Sequence, residues 1–216
     1  MSVMVLLASS VAALTGYLLG SINFAVVYCK ITHQKDVREL GSGNAGMTNI
    51  LRNYGKKAAA FTAAGDVLKG VGSALLGIWI FTLLTIGVDP EIGGYVAGGA
   101  AILGHIYPLY FGFKGGKAIL VSWGVLTVML PYAAITLLVI FLVELYFVKI
   151  VSLSSITVAI LCPVVTLIWR LALHQTVLLP TIFAFCVGGY ITWLHRANIA
   201  RLRAGTEPKL KSKKSS

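Results

Sequence analysis

The sequence predicts an all-α polytopic membrane protein with seven transmembrane helices, and three observations carry that prediction. Of 216 residues, 57% are hydrophobic and only 12% are charged, with a mean hydropathy of +0.87, whereas a soluble domain carries about 25% charged residues. Apolar runs long enough to cross ~30 Å of hydrocarbon recur along the whole chain. The net charge is +11, yet the basic residues fall mainly in short polar segments between apolar runs. There they orient spans and meet anionic lipid headgroups, and no nucleic-acid partner is expected.

Taken in order, the first span covers residues 4–29 and is followed by a polar segment, 30–57. The second span, 71–88, ends at Asp89-Pro90-Glu91, and the third covers 92–110. The apolar stretch 118–148 is too long for one span. Pro131 divides it into a fourth span ending at residue 130 and a fifth ending at 148. The sixth covers 151–170 and the seventh 176–194. At ~1.5 Å per residue the fourth span reaches only about 20 Å, so it needs support from neighbouring helices or a locally thinned bilayer. The N-terminal apolar run has no basic residue ahead of it and reads as a retained span rather than a cleaved signal. Residues 1–203 are expected to form a single seven-helix domain, with 204–216 a basic, disordered tail.

Alternation of seven spans sorts the charges. Lys30, Lys35, Arg38, Arg52, Lys56 and Lys57 share one side with Lys114, Lys117, Lys149 and the tail from His195-Arg196 to Lys214. The other side receives Asp89 and Glu91, with Arg170 and His174 its only basic residues. The positive-inside rule then places the N-terminus outside and the C-terminus in the cytoplasm. All the unusual motifs fall on the cytoplasmic side, which favours one site assembled from several loops.

The richest motif is Gly41-Ser42-Gly43-Asn44-Ala45-Gly46. Its G-x-G-x-x-G spacing is not a dinucleotide fingerprint, because no apolar strand precedes it. Glycines nevertheless let successive N–H groups converge on an anion, Ser42, Asn44 and Thr48 add side-chain hydrogen bonds, and a helix starting after Gly46 would strengthen anion binding. The competing reading is a plain flexible loop. Phe113-Lys114-Gly115-Gly116-Lys117 again pairs flexible backbone with point charges, as suits phosphate. It is not a Walker A motif, because Phe111 and Ala118 stand where that motif needs Gly and Ser or Thr. Ser152, Ser154 and Ser155 open the sixth span and have capping as their ordinary role. His195 and Asn198 lie one helical turn apart and can face one ligand. Asp66 and Lys69, at i,i+3, read as a structural ion pair, and His105 as a packing or hydrogen-bonding residue. Cys29, Cys162 and Cys186 read as small core residues. No metal-ligand cluster, nucleophile elbow or H-x4-D signature is present, so no metal or other cofactor is expected.

Together GSIN at 20–23, GSGNAGMTN at 41–49, GDVLKG at 65–70, GHIYP at 104–108, FKGGK at 113–117, VSLSS at 151–155 and HRANI at 195–199 resemble the bacterial acyl-phosphate:glycerol-3-phosphate acyltransferase family, PlsY. The resemblance implies a multi-pass protein of the bacterial cell membrane. It would transfer a fatty acyl group from acyl phosphate to the 1-hydroxyl of glycerol 3-phosphate, with an acyl-phosphate-producing enzyme upstream. It implies catalytic roles for Ser42, Lys117 and His195. It implies substrate binding by Gly41, Gly43, Asn44, Gly46, Thr48, Asn49, Arg52, Gly115, Gly116, Ser152 and Asn198. Met47, Ala118 and Ala197 depart from the family pattern. A transporter of phosphate esters or other anions is the rival reading. Transporters favour midplane sites and repeated halves, and no internal repeat is visible here.

Overall fold

A computed structural model of the chain describes residues 3–210. Among these residues all regular structure is helical, and the chain divides into two compact units, Met1–Pro131 and Tyr132–Ser216.

The first unit contains α1 (Val3–Gly20), α2 (Phe24–Ile31), α3 (Met47–Leu84), α4 (Glu91–Ile106) and α5 (Ile119–Met129). The apolar run 4–29, expected as one span, is broken at Ser21-Ile22-Asn23. Asn23 is fully buried. Its Oδ1 accepts a hydrogen bond from the Val26 N–H at 3.1 Å, capping α2, while its Nδ2 donates to the Ala45 carbonyl at 3.3 Å. The freed backbone therefore has partners, which is what permits a helix to break among apolar residues. The second expected span, 71–88, is part of a helix that begins at Met47. Its only break is Gly55, at φ 81° and ψ −171°, a conformation essentially confined to glycine. Residues 47–54 thus form a short segment leading into a long one.

Small residues bring these helices together. Gly16 and Gly20 on α1 meet the carbonyls of Ala97 and Ala101 on α4, Gly77 on α3 meets Gly93 on α4, and Gly70 and Gly124 join α3 to α5. A methyl group at any of these positions would collide with the opposite backbone or its side chains. In lipid, where apolar burial does not by itself hold helices together, such close backbone approach supplies the van der Waals contact that does.

The second unit contains α6, which opens at Pro131 and runs to Val148, then α7 (Val151–Ala172), α8 (Leu178–Leu194) and α9 (Arg196–Arg203). Pro131 sits at the first helical position, where its missing N–H costs no intrahelical bond. Tyr132 stacks on Trp169 with ring centroids 5.2 Å apart, and the Trp169 indole N–H donates to Thr136 at 3.0 Å. α8 and α9 meet at an angle of 58°, with His195 at the bend. The expected tail begins at residue 204. Within it the Leu210 N–H donates to the Lys149 carbonyl at 2.7 Å, and 211–216 lie outside the described residues.

Among the described residues, α1, α3, α6 and α7 are long and apolar enough to cross a membrane, and α8 with α9 makes a fifth if the bent pair is counted as one. α4, with 16 residues, and α5, with 11, are shorter. Large apolar side chains such as Trp79, Phe147 and Phe185 stand exposed, as hydrocarbon-facing surfaces require. Cys29 and Cys162 are buried as expected, whereas Cys186 lies on an exposed face of α8.

Candidate active site

In the first unit the glycine-rich segment folds as an exposed tip on a buried anchor. Gly41 and Gly43 adopt φ of 55° and 69°, the left-handed conformation that glycine enters without penalty. Gly41, Ser42 and Gly43 are exposed, and Asn44, Gly46 and Thr48 half-buried. The anchor is Asn49, only 2% exposed. Its Nδ2 lies 2.9 Å from the Val37 carbonyl, 3.0 Å from that of Leu40 and 3.1 Å from that of Asn44. Its Oδ1 accepts from the Ser42 N–H at 3.3 Å and from Asn53 at 3.1 Å. Expected among the ligand-binding residues, Asn49 has its amide engaged within the loop it shapes. A helix does begin directly after Gly46, which is its N-cap and provides no side-chain cap. Arg52 stands exposed on the short segment before Gly55.

The second glycine loop lies against the first. The Gly115 N–H donates to the Ile106 carbonyl at 3.1 Å and the Gly116 N–H to the His105 carbonyl at 3.2 Å. A methyl group on Gly115 would strike the His105 carbonyl, and one on Gly116 would strike the His105 ring and come within 2.8 Å of the Ala45 carbonyl. Glycine is needed at both positions because the backbones approach so closely. Arg38 ties the loop from outside, donating to the carbonyls of Phe111 at 2.6 Å and Lys114 at 3.2 Å while paired with Asp36 at 2.7 Å. Lys117 is half-buried and Lys114 exposed. Ala118 follows with φ 60°, a left-handed conformation that costs a residue with a Cβ roughly 1–2 kcal/mol. Ala118 is therefore a point of local backbone strain. Asp66 and Lys69 form the expected ion pair at 2.9 Å, both side chains 3% exposed, and His105 joins them with its Nδ1 2.9 Å from the Lys69 ammonium.

In the second unit Ser152 and Asn198 meet on one carboxylate, that of Glu207. Ser152 Oγ and Asn198 Nδ2 each donate to Oε1 at 2.6 Å, and Arg201 Nε donates to Oε2 at 2.6 Å. Ser152 therefore does not cap α7, whose N-cap is Ile150 without a side-chain bond. His195 is buried, 4% exposed, with Nδ1 2.8 Å from the Ile191 carbonyl. A carbonyl only accepts, so Nδ1 carries a proton.

The profile of the family described as glycerol-3-phosphate acyltransferase matches residues 10–205. The chain is 39% identical over 195 residues to a glycerol-3-phosphate acyltransferase of Bacillus subtilis, covering 90% of this chain and 94% of that one. It is 42% identical over 201 residues to one of Shouchella clausii, covering 93% and 95%. Its fold matches the crystal structure of PlsY, an integral membrane glycerol 3-phosphate acyltransferase, in the glycerol 3-phosphate form. The TM-score is 0.81 at 33% identity, with 94% of this chain and 96% of that chain covered. The lysophosphatidic acid form of PlsY matches with a TM-score of 0.79. The chain belongs to the glycerol-3-phosphate acyltransferase family. It is an integral membrane acyltransferase.

Asn23 and Arg38, which order loops of the first unit, and Glu207, which gathers side chains in the second, were not among the candidates read from the sequence, and Asn49 was read there only as a ligand-binding residue. Glu207 left one signal, being the only acid from residue 196 onward in a strongly basic segment. Partial burial works to raise its pKa, but hydrogen bonds from Ser152, Asn198 and Arg201, with the charge of Arg201, outweigh it and hold the carboxyl below its ordinary value. A depressed folded pKa contributes stability that is fully present above the ordinary glutamate value of about 4.3 and is lost as pH falls through the lower folded value. The thermal midpoint of the wild type should therefore exceed that of Glu207→Gln at pH 7, and the gap should close on acidification below about pH 4. A gap unchanged from pH 7 to pH 3 would contradict the charged cluster.

Proposed function

We propose that the protein transfers a fatty acyl group from acyl phosphate to the 1-hydroxyl of glycerol 3-phosphate, giving lysophosphatidate and inorganic phosphate. Acylation of glycerol 3-phosphate is the activity of the family to which the chain belongs. The donor and the reacting oxygen are the added parts of this reading. The observation that best supports them is the meeting of two glycine loops at Ala45 and Gly116, one with an exposed Gly-Ser-Gly tip and the other leading directly into Lys117. Both suit phosphate, and both substrates carry it.

In this reaction the 1-hydroxyl oxygen attacks the acyl carbon, the bond from that carbon to the phosphate oxygen breaks, and the departing phosphate takes the hydroxyl proton. An acyl phosphate is a mixed anhydride with a good leaving group, so positioning and charge stabilisation suffice without a covalent nucleophile. Gly41, Ser42, Gly43, Asn44, Gly46 and Thr48 serve the acyl phosphate, with Asn49 holding their loop. Arg52, Lys117, Ser152 and Asn198 serve glycerol 3-phosphate, and Gly115 and Gly116 give Lys117 its approach. His195, its ring fixed through Nδ1 on the Ile191 carbonyl, orients the hydroxyl. An acyl-phosphate-forming enzyme supplies the donor.

We further propose that α1 and α3 to α8 are seven spans of the bacterial cytoplasmic membrane, N-terminus outside, with α2 and α9 on the cytoplasmic side. The charge distribution supports this orientation. A reporter inserted at Asp89–Glu91 should be external and one fused after Ser216 cytoplasmic; both on one side would overturn it.

The activity itself is tested by supplying purified protein with acyl phosphate or acyl-CoA and labelled glycerol 3-phosphate. Label should enter lysophosphatidate from acyl phosphate alone, and robust transfer from acyl-CoA would defeat the donor assignment. In the same assay Lys117→Met should lower kcat/KM by roughly 10- to 100-fold, the loss of one charge-assisted contact of about 1.5–3 kcal/mol, while Lys114→Met does less. If Lys114→Met is dead and Lys117→Met active, the two lysines have been assigned the wrong way round.

A further inference from the structure

A charged cluster sunk into the first unit is not used by the reaction just described. Asp66, Lys69 and His105 are 2%, 6% and 3% exposed. The Lys69 ammonium lies 2.9 Å from Asp66 Oδ1 and 2.9 Å from His105 Nδ1. It donates to the Ile22 carbonyl at 2.7 Å and stands over the Phe24 ring at 5.9 Å. Removing one member of such a buried group strands the others, so it is a poor device for mere packing. The helices of this unit already have glycine contacts for that purpose.

The geometry of the histidine shows what the cluster supports. An ammonium has only donors, so at 2.9 Å His105 Nδ1 meets it with a lone pair, and the ring proton sits on Nε2. Asp66 Oδ1, at 3.5 Å from Nδ1, is the more distant neighbour. The Nε2 edge faces Gly116, where a Cβ would strike Nε2 and come within 3.1 Å of Cε1. The main chain of the same residue accepts the Gly116 N–H at 3.2 Å. His105 thus holds Gly116 from two sides, beside the Ala45 carbonyl, which Asn23 holds in turn.

We propose that His105 is a positioning residue: locked by Lys69 and Asp66, its ring edge and carbonyl set the Gly115–Lys117 backbone against Ala45 and so place the Lys117 ammonium. The role in turnover rests on the acyl-transfer reading; the ordering of the loop does not.

The test uses His105→Asn in the full-length protein in detergent micelles. The asparagine Oδ1 stands near the place of Nδ1 and takes the Lys69 hydrogen bond, so the buried cluster keeps its partners, while the edge against Gly116 is lost. Trypsin cleavage at Lys114 and Lys117 should accelerate about tenfold relative to cleavage at Lys149 in the other unit. Cleavage that is unchanged, or that accelerates equally at Lys149, overturns the proposal. Acyl transfer adds a second readout. If His105 acts through Lys117, combining His105→Asn with Lys117→Met should lower kcat/KM no further than Lys117→Met alone. Losses that multiply overturn the positioning role in catalysis. His105→Ala serves as the severe variant, and its misfolding would leave the asparagine comparison intact. A wild type without acyl transfer would refute the proposed function, with the protease readout still deciding the ordering of the loop.

Discussion

Non-helical backbone beside hydrocarbon has to find its hydrogen-bond partners within the protein, and the architecture of the first unit follows from that constraint. Its two glycine-rich loops are largely non-helical. Asn49 supplies partners for the carbonyls of Val37, Leu40 and Asn44, Arg38 for those of Phe111 and Lys114, and Asn23 for that of Ala45. The N–H groups of Gly115 and Gly116 return to the carbonyls at the end of α4. A few buried amides and one guanidinium therefore allow the helices to stop and leave exposed glycine tips at a defined place.

The same arrangement suits the chemistry. In the reaction we propose, two phosphorylated substrates repel one another, and an acyl phosphate needs no nucleophile from the protein. What such a reaction requires is fixed backbone donors and cations held in place before the substrates arrive. Rigid amide ties, glycines where backbones touch, and lysine and arginine on the loops provide these. In the second unit Glu207 gathers Ser152, Asn198 and Arg201 on one carboxylate, so residues on α7 and α9 are ordered by an acid from the tail.

The all-helical membrane class was legible because hydrocarbon demands long apolar runs, and the motif loops because glycine clusters are conspicuous among them. The Asp66–Lys69 pair and the hydrogen-bonding role of His105 were also readable, since i,i+3 spacing and an apolar setting leave such groups few alternatives. Hydropathy could not see the break at Asn23, where two small polar residues interrupt an apolar run. It could not see that α3 begins at Met47, because Arg52, Lys56 and Lys57 favour helix while lowering the average. Nor could it assign Asn49, whose amide serves a ligand and a loop equally well on paper. Glu207 was hidden because its partners Ser152 and Asn198 are 55 and 9 residues away, a pairing that only the folded chain supplies.

We propose that the chain positions its substrates for direct transfer and never carries the acyl group itself. Incubating the purified enzyme with acyl phosphate and labelled inorganic phosphate, without glycerol 3-phosphate, tests this most directly. Direct transfer predicts no label in the acyl phosphate, because the carbon–oxygen bond breaks only when the acceptor hydroxyl attacks. Enzyme-dependent exchange of label into acyl phosphate would reveal an acyl-enzyme and rule out direct transfer.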